Sequence, residues 1–210
     1  MKLKNSILFI SALFAFLAWQ NNDVAITEHN YTNDKLPDKF NGFKILHISD
    51  LHNKKFYGRL TNKIKRINPD IIVITGDLID RRRTNINSAM ELIEDIVKIA
   101  PVYYVSGNHE QLSEHYTKLK EELDKFNVVN MDDFYTAINA DGREIGLIGI
   151  ADPAINASEK TYLSESNVKY AASRLNNLTE NLKTDFNILL SHRPELLNVY
   201  KDYNIDLVFS

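Results

Sequence analysis

The stretch Ile45-Leu46-His47-Ile48-Ser49-Asp50-Leu51-His52 decides how the rest of the chain is read. Ile45 to Ile48 suit a buried strand. Asp50 and His52 do not; they set a carboxylate and an imidazole two positions apart, where a strand would give way to a loop. Side chains at i and i+2 of an extended segment point to the same side. Asp50 and His52 are therefore expected to converge on one point beyond the strand end, as half of a metal site. The question put to the remaining sequence is whether it supplies the other half.

Working outward, the next elements alternate. Gly58 to Asn68 carries Leu60, Ile64 and Ile67 at helical spacing, and Pro69 stops it. Ile71 to Thr75 is a β-branched run of the kind found in strands covered on both faces. Ile86 to Ala100 reads as a helix with Met90, Ile93 and Val97 on one stripe; Val102 to Val105 as a strand; and Glu114 to Phe126 as a helix. Strand, helix, strand, helix, strand, helix predicts parallel pairing with helical crossovers. The pattern then changes. Phe134 to Asn139 and Glu144 to Ile150 flank Asp141-Gly142, a hairpin turn signal. Asn167 to Leu182 and Glu195 to Tyr200 read as helices, with strands at Asn187 to Ser191 and Asp206 to Phe209. Before the first strand, Ala25 to Tyr31 is read as an edge strand. The whole is an α/β chain with one embedded antiparallel piece.

Composition narrows the chemistry. The 210 residues are 44% hydrophobic and 25% charged, with a net charge of −3 and no cysteine. The length suits one domain, or one domain plus an appendage. The charge gives no nucleic-acid signature. Without cysteine there is no disulfide, thiolate metal site or cysteine nucleophile, so any metal must be held by oxygen and nitrogen.

Four strand ends carry such donors. The first gives Asp50 and His52. The second leads into Gly76-Asp77-Leu78-Ile79-Asp80, the third into Ser106-Gly107-Asn108-His109-Glu110, and the fourth into Ser191-His192. In open α/β sheets, ligands sit beyond the carboxyl ends of the strands. One such ending is weak evidence, since an Asp after a strand is often only a helix cap. Four aimed at the same edge are harder to obtain by chance. Oxygen donors mixed with imidazoles suit manganese, iron, zinc or similar divalent ions.

Taken in order, Asp50-x-His52, Gly76-Asp77-x-x-Asp80, Gly107-Asn108-His109-Glu110 and Ser191-His192 resemble the motifs of the calcineurin-like metallophosphoesterases, from about Phe43 onward. The resemblance implies a two-sheet β sandwich flanked by helices and a centre of two divalent ions. Asp50, His52 and Asp77 would hold one ion. Asp77, Asn108 and His192 would hold the other, with Asp77 bridging. It further implies hydrolysis of phosphomono- or phosphodiesters by attack of a metal-bound hydroxide. His109 would face the leaving-group oxygen, donating a proton or stabilising charge, and Asp80 would brace the site from outside the ligand shell. Within the family the chain is similar to small exported or membrane-attached phosphohydrolases, some acting on lipid-linked or nucleotide-sugar phosphates.

The pattern departs from the family at its end. The family's Gly-His-x-His motif follows a strand, and here the last strand runs to Ser210 with no His after His192. The expectation is a 23–210 metallophosphoesterase domain incomplete at its C-terminus, from a longer active parent, and itself weak or inactive. The alternative is a non-catalytic metal-binding or interaction module derived from the same fold. The letters Ser106-Gly107-Asn108-His109 also spell the name of the SGNH esterases, but the nucleophilic serine of that family would fall at Leu78, which cannot attack a carbonyl.

The N-terminus adds a location. Lys2 and Lys4 precede the apolar run Ile7 to Trp19, which is short for a spanning helix of about 20 residues. Residues 1–22 read as a signal or membrane-anchor segment. The positive charge before it places the body on the outer side of the cytoplasmic membrane, anchored or secreted. Arg81-Arg82-Arg83 reads as a solvated loop, Asp152-Pro153 as a turn, and His47 as packed within its strand.

Overall fold

The computed structural model describes residues 9–11, 13, 14, 16, 17, 24–156, 164–180 and 182–210. Among these, eight strands form two four-stranded sheets, with orders β1-β2-β3-β4 and β5-β6-β7-β8. The first sheet is wholly parallel: β1 (Ile45–Ile48), β2 (Ile71–Thr75), β3 (Val102–Val105) and β4 (Val129–Asn130). In the second, β5 (Phe134–Ala140) and β6 (Arg143–Gly149) form an antiparallel hairpin. β7 (Asn187–Leu190) and β8 (Leu207–Phe209) then add in parallel to β6. At the hairpin tip Asp141 has φ 49° and Gly142 φ 82°. Two successive positive φ values are what a two-residue turn matching the strand twist requires.

The layering follows from the two-residue side-chain period of strands. On β2, Ile72 and Ile74 face one core with Leu60, Ile64, Ile93, Ile96, Leu119 and Leu123. These come from the helices α1 (Arg59–Ile67), α2 (Ile86–Ile96) and α4 (Tyr116–Lys125). Ile71 and Val73 face the other way, into a core with Ile145, Leu147, Ile188 and Leu190 of the second sheet. On that sheet's far side, Ile148 and Leu189 pack with Ala171 and Leu175 of α5 (Glu165–Thr179), and with Leu196 and Tyr200 beside α6 (Leu197–Tyr200). The result is helix, sheet, sheet, helix, an α/β sandwich of two sheets flanked by helices. All five residues of β2 are buried because it has a strand on each side and a layer on each face.

Several local expectations change. β1 lies at the edge of its sheet, so Ile45 and Leu46 are half-buried and only Ile48 is buried. His47 is exposed; its Nε2 lies 2.6 Å from Thr75 Oγ1 and its ring rests against Phe209 at 5.3 Å. Ala25 to Tyr31 forms no strand. This segment is tied by side chains, with the Tyr31 hydroxyl donating to Asp206 O at 3.0 Å and its ring near Phe186. The second helix ends at Ile96 rather than Ala100, because the residue before Pro101 is held out of helical geometry and the preceding turn tightens. One strand and one α-helix were not expected. The strand is the two-residue β4, and the helix is α3 (Asn108–Gln111), a single helical turn inside the third motif.

The N-terminal segment expected at 1–22 lies largely outside the described residues. Among those described there, Phe9, Ile10, Leu13, Phe14, Phe16 and Leu17 are exposed. No helix among the described residues is long and apolar enough to cross a membrane.

Leu147 is fully buried between the sheets. Leu147→Ala removes core volume where neither sheet can close the gap, and is expected to cost about 2–5 kcal/mol of unfolding free energy. Chemical denaturation followed by circular dichroism measures it, and a loss under about 1 kcal/mol would show that the two sheets do not share a packed interior.

Candidate metal centre

Three loops at the carboxyl ends of β1, β2 and β3 run side by side. The N–H groups of Asp50, His52 and Asn53 donate to the carbonyls of Gly76, Asp77 and Leu78 at 3.1, 2.9 and 3.2 Å. These bonds force an unusual backbone. Asp50, His52 and Asn53 have φ of 56°, 46° and 63°, and Asp77 has φ 52°. Positive φ is uncommon outside glycine, although Asn, Asp and His tolerate it best. The convergence of Asp50 and His52 therefore does not come from alternation along an extended strand. It comes from a left-handed turn that copies the path of the neighbouring loop.

The second and third loops touch through glycines. A Cβ on Gly76, which has φ 89°, would lie 2.5 Å from Gly107 N and 2.9 Å from His192 Nδ1. One on Gly107 would lie 2.3 Å from Asp77 Oδ1. No side chain fits at either position. Glu110 then ties the pair together. Its Oε2 accepts from the N–H groups of Asp77 and Gly107, both at 2.8 Å, and its Oε1 accepts from Ile79 N–H at 3.0 Å. Burial pushes the Glu110 carboxyl up and the Asp77 charge adds to it, while the three N–H groups pull it back, leaving it at about 7.

Asp77 sits at the focus. Its Oδ2 lies 3.5 Å from His52 Nε2, 3.5 Å from His192 Nε2 and 3.9 Å from His109 Nε2. His52 Nε2 is also 3.7 Å from Asp50 Oδ1, and His192 Nε2 is 3.2 Å from Asn108 Oδ1. Two donors each about 2.1 Å from one ion at a tetrahedral angle stand about 3.4 Å apart. These separations fit ligands turned toward shared ions. Possible ligand atoms of Asp50, Asp77 and His192 all lie within 4.8 Å of one another, as do those of His52, Asp80 and His109. The resemblance divides the residues differently, joining Asp77 to His52 as well as to His192, whose Nε2 atoms both lie 3.5 Å from Asp77 Oδ2.

Second contacts set which atom His192 and His109 present. His192 Nδ1 lies 2.7 Å from Thr75 O. A carbonyl only accepts, so Nδ1 carries a proton and Nε2 is turned to Asp77. Burial pulls the His192 imidazole down, but the Asp77 hydrogen bond and charge, with the Thr75 carbonyl, push it up to about 9. Burial likewise pushes the Asp77 carboxyl up, yet His192 and the His109 N–H, which donates to Asp77 Oδ1 at 2.9 Å, hold it below the usual carboxylate range.

His109 is arranged the opposite way. Arg81 N–H donates to its Nδ1 at 3.1 Å, so the ring proton sits on Nε2, facing Asp77. Burial, with the charges of His52 and Arg81, holds this imidazole below its ordinary value against the pull of Asp77 and Asp80. Its ring stands edge-on to that of His52, 4.5 Å between centroids. Asp80 Oδ1 accepts from the N–H groups of Arg82 and Arg83 at 2.8 and 3.1 Å, which fixes the tripeptide read from sequence as a solvated loop.

The residues singled out in the sequence are thus brought to one place: Asp50, His52, Asp77, Asn108, His109 and His192, with Asp80 at the rim. The roles of Glu110 and the Thr75 carbonyl were missed. The spacing Gly107-x-x-Glu110 resembles the reciprocal cap at a helix start and offered a signal for Glu110. Nothing in a sequence marks the carbonyl of Thr75.

Residues 43–210 match the calcineurin-like phosphoesterase family. The chain is similar to the uncharacterized metallophosphoesterase YkoQ of Bacillus subtilis (strain 168), 28% identical over 174 residues covering 79% of this chain and 58% of that protein. It is also similar to the uncharacterized metallophosphoesterase Cj0846 of Campylobacter jejuni, 25% identical over an alignment covering 97% of this chain and 52% of that protein. The chain therefore spans little more than half the length of these curated relatives. Among solved structures, TT1561 of Thermus thermophilus shares the fold with a TM-score of 0.56 at 16% identity, over 79% of this chain and 80% of that one.

Glu110→Gln replaces an acceptor oxygen with an amide N–H that must face backbone donors. It is expected to cost about 1–3 kcal/mol, read as a lower denaturation midpoint. Wild-type stability in this variant would mean that Glu110 does not hold the two loops together.

Proposed function

The chain belongs to the calcineurin-like phosphoesterase family, and we propose that it is a metal-dependent phosphoesterase, hydrolysing phosphomono- or phosphodiesters at a centre of two divalent ions. The observation that carries this reading is the Asp77 carboxylate, buried and ringed by the Nε2 atoms of His52, His109 and His192.

In this reading Asp50, His52 and Asp77 hold one ion, and Asp77, Asn108 and His192 the other. Such ions polarise phosphoryl oxygens and make water a stronger acid. The chain's own residues do the rest. Thr75 O fixes His192 so that only Nε2 is offered inward. Glu110 fixes Asp77 from behind, through the backbone.

His109 has its Nδ1 lone pair occupied by Arg81 N–H and is held neutral. A neutral imidazole with its proton on Nε2 donates a hydrogen bond. That favours stabilising charge on the leaving-group oxygen over giving up a full proton. Asp80 spends one oxygen on the Arg82 and Arg83 backbone. This supports a bracing role, holding the loop from which Arg81 orients His109.

The proposed substrate is a phosphate ester, with lipid-linked or nucleotide-sugar phosphates the classes to test first. Attachment at the outer side of the cytoplasmic membrane belongs to the same proposal. Lys2 and Lys4 ahead of the apolar run, and the exposed side chains of Phe9, Ile10, Leu13, Phe14, Phe16 and Leu17, support it.

Asp77→Ala is expected to abolish binding of both ions and all hydrolysis; two tightly held Mn2+ ions in that variant, counted by metal analysis, would contradict the central role of Asp77. His109→Ala should keep the metal content while lowering turnover of an aryl phosphate ester by roughly 10²–10³-fold. Loss of metal there would mean that His109 is itself a ligand. EDTA should silence whatever hydrolysis of an aryl phosphate ester the wild-type protein performs, and activity that persists would remove the metal from the mechanism.

A further inference from the structure

Arg193 directly follows His192, and Asp152 follows β6, the strand beside β7. Arg193 Nε lies 2.6 Å from Asp152 Oδ2, and Arg193 Nη2 donates to Asp152 Oδ1 at 3.1 Å. The two side chains are 6% and 0% exposed. Taking both charges out of water is costly, and an apolar pair of similar volume commonly serves stability as well or better. What a guanidinium–carboxylate pair supplies that an apolar contact does not is angle. One charge-assisted hydrogen bond, with a second nitrogen and oxygen in close contact beside it, fixes the orientation of the elements that carry it.

Those elements are the two loops that frame the one site imidazole, among the described residues, drawn from the second sheet. Asp50, His52, Asp77, Asn108 and His109 all come from loops of the first sheet, whereas His192 must reach across from β7. The chain on both sides of it is pinned. Ser191 N–H donates to Phe209 O at 3.0 Å, and Ser191 Oγ lies 2.7 Å from the Tyr200 hydroxyl. That hydroxyl donates to Arg193 O at 2.8 Å. Asp152 is held in turn, with Oδ1 accepting from Ala154 N–H at 2.7 Å. The backbone bonds fix where the loop lies, and the ion pair fixes how it is turned.

We infer that Asp152 and Arg193 are a positioning pair. Their buried ion pair sets the loop after β7 so that the His192 ring meets Thr75 O with one nitrogen and Asp77 with the other. Neither residue touches the reacting atoms. The inference rests on the proposed reading of His192 as a ligand, and its test is built so that the two can fail separately.

The experiment compares the wild-type protein with Asp152→Leu/Arg193→Met and with Arg193→Lys. The apolar double variant removes both charges and restores packing, so thermal unfolding should stay within a few degrees of wild type. Two readouts then report position. The first needs no metal: the downfield proton resonance of the His192 Nδ1–H, assigned by its absence in His192→Gln. It should be present in wild type, broadened in Arg193→Lys, and lost in the double variant. The second is the calorimetric affinity for Mn2+, which should fall roughly tenfold or more at one of the two sites, as partners of ligands commonly show. A double variant that keeps both the resonance and the affinity overturns the inference. Arg193→Lys, which keeps the charge but loses the planar guanidinium that contacts both carboxylate oxygens, decides the matter if the double variant does not fold; wild-type values in it overturn the inference equally. If wild type binds no Mn2+ at all, the metal-centre reading fails, and the resonance alone still decides whether the pair positions His192.

Discussion

One buried carboxylate holds the candidate site in shape. Glu110 accepts three backbone N–H groups, two from the loop after β2 and one from the loop after β3. Behind it, Gly76 and Gly107 approach so closely that neither position has space for a Cβ. A loop with φ near 50° at Asp77 and its N–H groups turned inward would not persist in water; the N–H groups need an acceptor, and a buried donor without one costs about 1–3 kcal/mol. Glu110 satisfies those donors at once, and so fixes the height and angle at which Asp77 enters the site.

Strain elsewhere in the site is offset in a similar way. Asp50, His52 and Asp77 all take left-handed backbone conformations, which cost of order 1–3 kcal/mol each and persist only when the surroundings over-determine them. The surroundings here are the β1–β2 ladder, which continues past the strand ends as a row of loop-to-loop hydrogen bonds, and the apolar cores on either face of β2. The strained loops depend on the packed interior. Ile72 and Ile74 on one side, Ile71 and Val73 on the other, hold the strand from whose end Asp77 projects.

Much of this was legible in the sequence, for physical reasons. Ile71 to Thr75 read as a strand covered on both faces, and Asp141-Gly142 as a hairpin turn. The alternation before Lys125 required parallel pairing. The two-sheet sandwich, by contrast, rested on resemblance; periodicity shows that a strand is buried, not which sheet it joins. The residues Asp50, His52, Asp77, Asn108, His109 and His192 stood out because polar donors at four strand ends are costly unless they share a purpose. What escaped notice shares a different character. β4 has two residues and no period to read. The edge position of β1 depends on what pairs with its other side, which no local pattern encodes. Thr75 acts through its carbonyl, and Arg193 through a partner forty-one positions away in the chain. Asp152 looked like a turn because a turn and a buried ion-pair partner can be spelled by the same two letters, Asp-Pro.

The central claim is that the Asp77 carboxylate stands between two divalent ions. Its most direct measurement is an anomalous diffraction map from crystals grown with Mn2+ and collected at the manganese edge. Two peaks are expected, one on either side of the Asp77 carboxylate, the first beside Asp50 and His52 and the second beside Asn108 and His192. A map with no peak within coordination distance of Asp77, or with a single peak that Asp77 does not touch, would contradict the account.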